Sequence, residues 1–187
     1  MTLLSIMVKF DLYFDSNIVD SPESVRVGVD QHMLVETQLP LTHVEFWHSL
    51  ELGPHTLWVE LCGKDSKNEQ RVNGELINDT YFSLTNLAIN DSMMNYLLHD
   101  NGYVIPDWNY HQDVAQWFKE NHGAVPDRLE KATYVNLKGC YYFQFELPIR
   151  NYLDKSLTIH PTYAHLYNAP LERYQNLKEK LLKEKPP

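Results

Sequence analysis

The chain has 187 residues and a formal net charge of −9, with 16 Lys and Arg against 25 Asp and Glu. Its 43% hydrophobic and 22% charged residues suit one globular domain with a sizeable core, and the length is short for two. The acidic balance argues against a nucleic-acid reader, which draws affinity from clustered Lys and Arg, and no apolar run is long enough for a membrane-spanning helix.

Residues Ile6–Phe14 alternate with period two. Ile6, Val8, Phe10, Leu12 and Phe14 face one way and Met7, Lys9, Asp11 and Tyr13 the other, which predicts a half-buried strand. Lys9 and Asp11 also interrupt the apolar opening and no small-residue cleavage site follows, so this segment reads as strand rather than signal sequence. Val25, Val27 and Val29 predict a second strand, paired across a tight turn at Asp30-Gln31 with a third over His32–Thr37. Val44–Leu50 and His55–Leu61 flank Leu52-Gly53-Pro54 and are predicted to form a hairpin. In its second arm Leu57, Val59 and Leu61 oppose Thr56, Trp58 and Glu60.

Gly63–Leu76 is polar and carries Asn73-Gly74, the signature of an exposed hairpin or long loop. Tyr81–Ile89 returns to strand with a change of phase at Thr85-Asn86, as a β-bulge produces. A helix is expected from an Asp107 N-cap to Asn121, with Val114, Trp117 and Phe118 as its apolar face and Gly123 as its stop. Tyr134–Leu137 and Tyr141–Leu147 supply the last strands. Residues 160–168 are irregular, and Asn168-Ala169-Pro170 opens an amphipathic helix to about Lys183, striped by Leu171, Tyr174, Leu177, Leu181 and Leu182. The expected organisation is a mostly β domain over residues 1–153, an antiparallel β-sandwich with one inserted helix. Residues 154–187 form an irregular segment and a C-terminal helix that packs on the sandwich or on a partner.

Candidate chemistry falls into three groups. His43, Glu45 and His55 are a potential zinc triad for a metal-dependent hydrolase, although no His-Glu-x-x-His spacing is present. Asp65, Glu69 and Asp79, within an oxygen-rich loop, are candidate calcium ligands, with Lys64, Lys67 and Arg71 offsetting their charge. Trp47, Trp58 and Tyr142 are the candidate ligand-binding aromatics; Trp58 and Tyr142 lie opposite the apolar faces of their strands. Cys62 and Cys140 fit either two reduced thiols or one disulfide between strands. No Gly-x-Ser-x-Gly elbow or phosphate-cradling glycine loop occurs, and no catalytic constellation assembles.

The run Phe46-Trp47-His48-Ser49-Leu50-Glu51-Leu52-Gly53-Pro54-His55-Thr56-Leu57-Trp58-Val59-Glu60-Leu61 resembles the paired strands of jelly-roll carbohydrate-binding modules of the calcium-dependent xylan-binding kind. Gly139-Cys140-Tyr141-Tyr142-Phe143-Gln144-Phe145-Glu146-Leu147-Pro148 is similar to a late strand of uncharacterised tailed-bacteriophage proteins. The resemblance implies a jelly-roll-like sandwich without catalysis. The expected function is a non-catalytic accessory or structural protein of phage type that recognises carbohydrate through exposed aromatics. Its expected partners are a glycan or other proteins of an assembly, including copies of itself, with no nucleic acid and no membrane, in a virion or host cytoplasm. It has either no cofactor or calcium. The alternatives are the metal-dependent hydrolase and a protein-interaction module docking through its C-terminal helix.

Overall fold

The computed structural model describes residues 5–18, 23–64, 70–72 and 75–159. The chain divides into two units, Met1–Ile149 and Arg150–Pro187. In the first, chain order is β1 (Ser5–Asn17), β2 (Ser24–Val29), β3 (His32–Gln38), β4 (His43–Glu51), β5 (Gly53–Cys62), β6 (Gln70–Val72), β7 (Glu75–Asn78), β8 (Tyr81–Ile89) and β9 (Ser92–Met93). There follow α1 (Asn95–Asn101), β10 (Gly102–Pro106), α2 (Gln112–His122), β11 (Leu129–Glu130), β12 (Tyr134–Val135) and β13 (Gly139–Leu147). A third helix, α3 (Ile149–Ile159), leads into the second unit.

The long strands make two antiparallel sheets. Sheet A has the order β12-β8-β1-β4, with β9 added to β8, and sheet B has the order β11-β10-β13-β5-β2-β3. A small β6-β7 hairpin stands apart from both. The chain passes back and forth between the sheets, which gives the sandwich its jelly-roll character.

Period-two patterning explains the core. Val8, Phe10, Leu12 and Phe14 of β1 are buried, as are Leu57, Val59 and Leu61 of β5 and Tyr141, Phe143 and Phe145 of β13. Phe10 joins the layers: it stacks on Phe46 at 4.9 Å and meets Phe145 of the other sheet edge-on at 5.7 Å. The phase change in β8 is a bulge, because Tyr13 pairs with Asn86 and Phe14 with Leu84, leaving Thr85 unpaired in the ladder. The Thr85 hydroxyl donates to the Tyr13 carbonyl at 3.0 Å. The tight turn between β2 and β3 also stands as expected, with Asp30 at φ 54°.

Three expectations are corrected. β4 and β5 are not a hairpin: β4 pairs with β1 in sheet A, and β5 pairs with β13 and β2 in sheet B. Each strand is apolar on one face only, and those faces meet across the sandwich rather than lying side by side. Gly53, at φ +131°, makes the corner. The inserted helix starts at Gln112 instead of Asp107, because Asp107 initiates a turn whose carbonyl accepts the N–H groups of Tyr110 and His111 at 2.9 and 3.0 Å. None of its residues is buried, so the Val114, Trp117 and Phe118 stripe is no core face, and Trp117 is 52% exposed. Gly123 ends it as expected, in the left-handed region at φ 82°. The short α1 and the α3 helix after Pro148 carry no signal recognised in the sequence. The C-terminal helix expected over Asn168–Lys183 lies outside the described residues.

Candidate functional site

The outer face of sheet A holds a concavity of about 510 Å³. Its floor is the outward side of β1, flanked by β4 and β8. Register puts Asp11 between Glu45 and Ala88, and Tyr13 between His43 and Asn86. Ala88 is the small residue that lets the floor dip, while Met93 and Asp91 form one rim. The β8–β9 turn is built from two left-handed residues, Asn90 at φ 48° and Asp91 at φ 60°. Asn90 ties that turn to Lys9 twice, its Oδ1 accepting the Lys9 N–H and its N–H donating to the Lys9 carbonyl, both at 2.9 Å.

Lys9 is the hub of the site. Its ammonium lies 2.9 Å from Glu45 Oε2, 3.0 Å from Asp11 Oδ2 and 3.9 Å from Asp91 Oδ1. Hydrogen bonds first to Glu45 and then to Asp11 hold its pKa above the ordinary lysine value. Burial disfavours the charged form of Asp11. The hydrogen bond from Lys9 and its other polar contacts outweigh that and hold the carboxyl below the usual carboxylate range. His43 Nε2 is 3.4 Å from Asp11 Oδ1, and its ring stacks on Tyr13 at 4.5 Å with 27° between planes.

The arrangement therefore presents fixed acceptors beside aromatic surface. Tyr13 is 42% exposed, and Trp47, paired with Lys9 along the ladder, is 57% exposed. Aromatic faces with convergent, pre-oriented polar groups suit a polyhydroxylated ligand. The same pKa shifts make Asp11 a poor proton donor and Lys9 a poor proton acceptor near neutrality, which argues against general acid–base chemistry by this pair.

The three candidate aromatics divide between the sheets. Trp47 borders the concavity on sheet A, whereas Trp58 and Tyr142 are direct cross-strand partners on the outer face of sheet B. Both of those are half-buried and already engaged. The Trp58 indole N–H donates to the Asp30 carbonyl at 2.8 Å, and its ring lies over Gly28, where an added Cβ would fall 2.2 Å from Trp58 Cζ2. Tyr142 stacks on Tyr103 at 5.4 Å, and the Arg128 guanidinium covers Tyr103 at 4.5 Å.

The zinc triad does not form. His43 and Glu45 share a strand face as expected, but His55 is on sheet B, where its Nδ1 meets Asp30 Oδ2 and its Nε2 meets the Glu51 carbonyl, each at 2.8 Å. The cause is the β4–β5 crossover, and among the described residues no three His, Cys, Asp or Glu side chains are placed to hold a metal. Of the calcium candidates, Asp65 and Glu69 lie outside the described residues. Asp79 is buried and ion-paired with the ammonium of Lys64, which also donates to the Thr80 carbonyl at 2.8 Å. Asn136 Nδ2 reaches the other Asp79 oxygen at 3.3 Å. Cys62 and Cys140 are free thiols. Burial pushes them up to about 11 and about 12 respectively, so neither is an activated nucleophile.

Lys9, Asp11, Tyr13, Asn86 and Asp91 were not singled out by sequence reasoning. The available signal was the outward side of β1, where charged and aromatic residues alternate. It gained meaning only once Glu45 and His43 were in register beside it.

No protein-family model matches the chain, and no curated protein matches it. Among solved structures the chain is similar to vCBM60 in complex with galactobiose, with a TM-score of 0.42 and 10% sequence identity, over 74% of this chain and 97% of that one. A likeness of that size does not carry site residues from one protein to the other.

Proposed function

We propose that the Met1–Ile149 unit is a non-catalytic carbohydrate-binding module whose site is the concave outer face of sheet A. The observation that carries this reading is the joining of the Lys9, Asp11 and Glu45 network to the exposed Tyr13 ring within one concavity, with the exposed Trp47 two residues from Glu45 on the same face of β4. A sugar presents an apolar face of C–H groups to stack on a ring and a rim of hydroxyls for carboxylates and an ammonium. Ion pairing has already fixed those groups, so little ordering remains on binding. The phage-type accessory role expected from Gly139–Pro148 belongs to the same proposal, with the glycan as the surface the module meets. Calcium remains a proposal for the Asp65–Asp79 loop, and binding at sheet A does not require it.

The test is a glycan array probed with the whole chain, with calcium and with EDTA, alongside Trp47→Ala, Tyr13→Ala and Trp117→Ala on the exposed face of α2. Binding that is retained in EDTA and by Trp117→Ala but lost by Trp47→Ala and Tyr13→Ala supports the reading. Binding lost in EDTA moves the site to the calcium loop, and no binding to any glycan overturns the proposal.

A further inference from the structure

Resting on the carbohydrate reading of this concavity, we propose that the site selects its sugar by charge, preferring amino sugars to neutral ones and disfavouring uronates. The lining holds three carboxylates, Asp11, Glu45 and Asp91, against the single ammonium of Lys9. Those four groups carry a formal balance of −2, and they lie within a chain of net charge −9.

The positions of those charges matter more than their sum. Asp11 is the inner partner, with a side chain only 10% exposed, and its oxygens are spent on Lys9 and His43. Glu45 and Asp91 are the outer partners, with side chains 46% and 86% exposed, so they keep acceptor capacity facing solvent at the rim. Lys9, only 22% exposed and held by the acids around it, is shielded from an incoming anion. A ligand therefore meets acceptors first. A sugar ammonium docked beside Tyr13 gains ion pairs with Glu45 or Asp91 while its ring stacks. A neutral sugar donates its hydroxyls to the same oxygens. A uronate brings a carboxylate against two exposed carboxylates, and the one cation that would welcome it is already occupied.

Titration affinities of the whole chain for β-1,4-linked tetramers of glucosamine, glucose and glucuronate test this on one backbone geometry. All three titrations are run at pH 6, where the sugar amines are largely protonated and the uronates ionised. At about 10 mM salt the expected order is amino, then neutral, then acidic. Steps of about fivefold per favourable or unfavourable contact follow from one charge pair at about 4 Å in water. The steps shrink towards unity at 1 M salt, where the screening length is about 3 Å.

Asp91→Asn removes one rim charge at a left-handed position that Asn tolerates, and is expected to reduce the amino-over-neutral ratio severalfold. Asp127→Asn, on the exposed connection leading into β11 of sheet B, removes the same net charge elsewhere and is expected to leave the ratio unchanged. Equal narrowing by both variants would show a preference of the whole chain's charge and overturn the inference. So would glucuronate binding as tightly as glucosamine. Failure of all three tetramers to bind, together with no binding to any glycan on the array, removes the carbohydrate reading itself, an outcome distinct from binding without charge preference.

Discussion

Replacing Asp79 with Ala tests an ion pair in the sandwich unit that is unique among the described residues in having both partners nearly inaccessible: the Lys64 side chain is 1% exposed and that of Asp79 8%. The variant leaves the ammonium with the Thr80 carbonyl and no carboxylate, in a site too dry to solvate it. Breaking such a pair from one side costs about 3–5 kcal/mol, because an uncompensated charge stays buried. With a urea m-value of about 2 kcal/mol/M for a domain of this size, the midpoint of unfolding falls by about 1.5–2.5 M. Removing both charges is far milder, since desolvation of the pair offsets most of its attraction; Lys64→Met with Asp79→Leu is expected within about 2 kcal/mol of the parent. Urea titrations followed by tryptophan fluorescence give all three midpoints. A single variant within 1 kcal/mol of the parent, or a double variant no more stable than the single, would refute the reasoning. Calcium that raised the parent's midpoint and not that of Asp79→Ala would show instead that Asp79 serves a metal.

Other consequences follow from single residues. Gly28→Ala places a methyl group 2.2 Å from Trp58 Cζ2 and 2.3 Å from the His32 carbonyl oxygen, and is expected to destabilise the sandwich by about 1–3 kcal/mol with a shift in tryptophan emission. Burial and the neighbouring His32 ring, 5.4 Å away, hold His48 below the ordinary histidine value of 6.5, against an opposing pull from Asp30. The unfolded chain therefore takes up the His48 proton first, so its contribution to stability is present above about pH 6.5 and lost as pH falls through the lower folded value. Thermal midpoints at pH 7 and pH 5 are expected to differ less in His48→Gln than in the parent. With thiols raised to about 11 and about 12, Cys62 and Cys140 are expected to react with a disulfide reagent at pH 8 far more slowly in the native chain than in urea, and equal rates would contradict their placement.

Much of the sandwich was legible because burial on one face writes itself as alternation. β1 could be read residue by residue from Ile6 to Phe14, and the phase slip at Thr85-Asn86 announced its bulge before any pairing was known. Alternation does not say whether consecutive half-buried strands lie side by side or face to face. That is why the sequence pattern predicts a β4–β5 hairpin and brings His55 towards His43. Trp58 and Tyr142 were placed outward correctly, yet nothing local revealed that Gly28 and the Asp30 carbonyl would occupy Trp58. The Lys9 network was hidden for a related reason. Outward Lys9 and Asp11 look like ordinary solvated charges until the register with Glu45 and the turn at Asn90-Asp91 surround them. Seven-residue α1 was too short to show a helical period, and α2 displayed one without burying it.

The most direct test of the sheet A site is backbone amide chemical-shift mapping of the whole chain, titrated with the neutral or amino oligosaccharide that binds best. The expected result is a saturable set of shifts confined to Lys9–Tyr13, His43–Trp47 and the Asn86–Met93 segment. Shifts centred on Trp58 and Tyr142, with the β1 and β4 amides unmoved, would contradict it and return the site to sheet B.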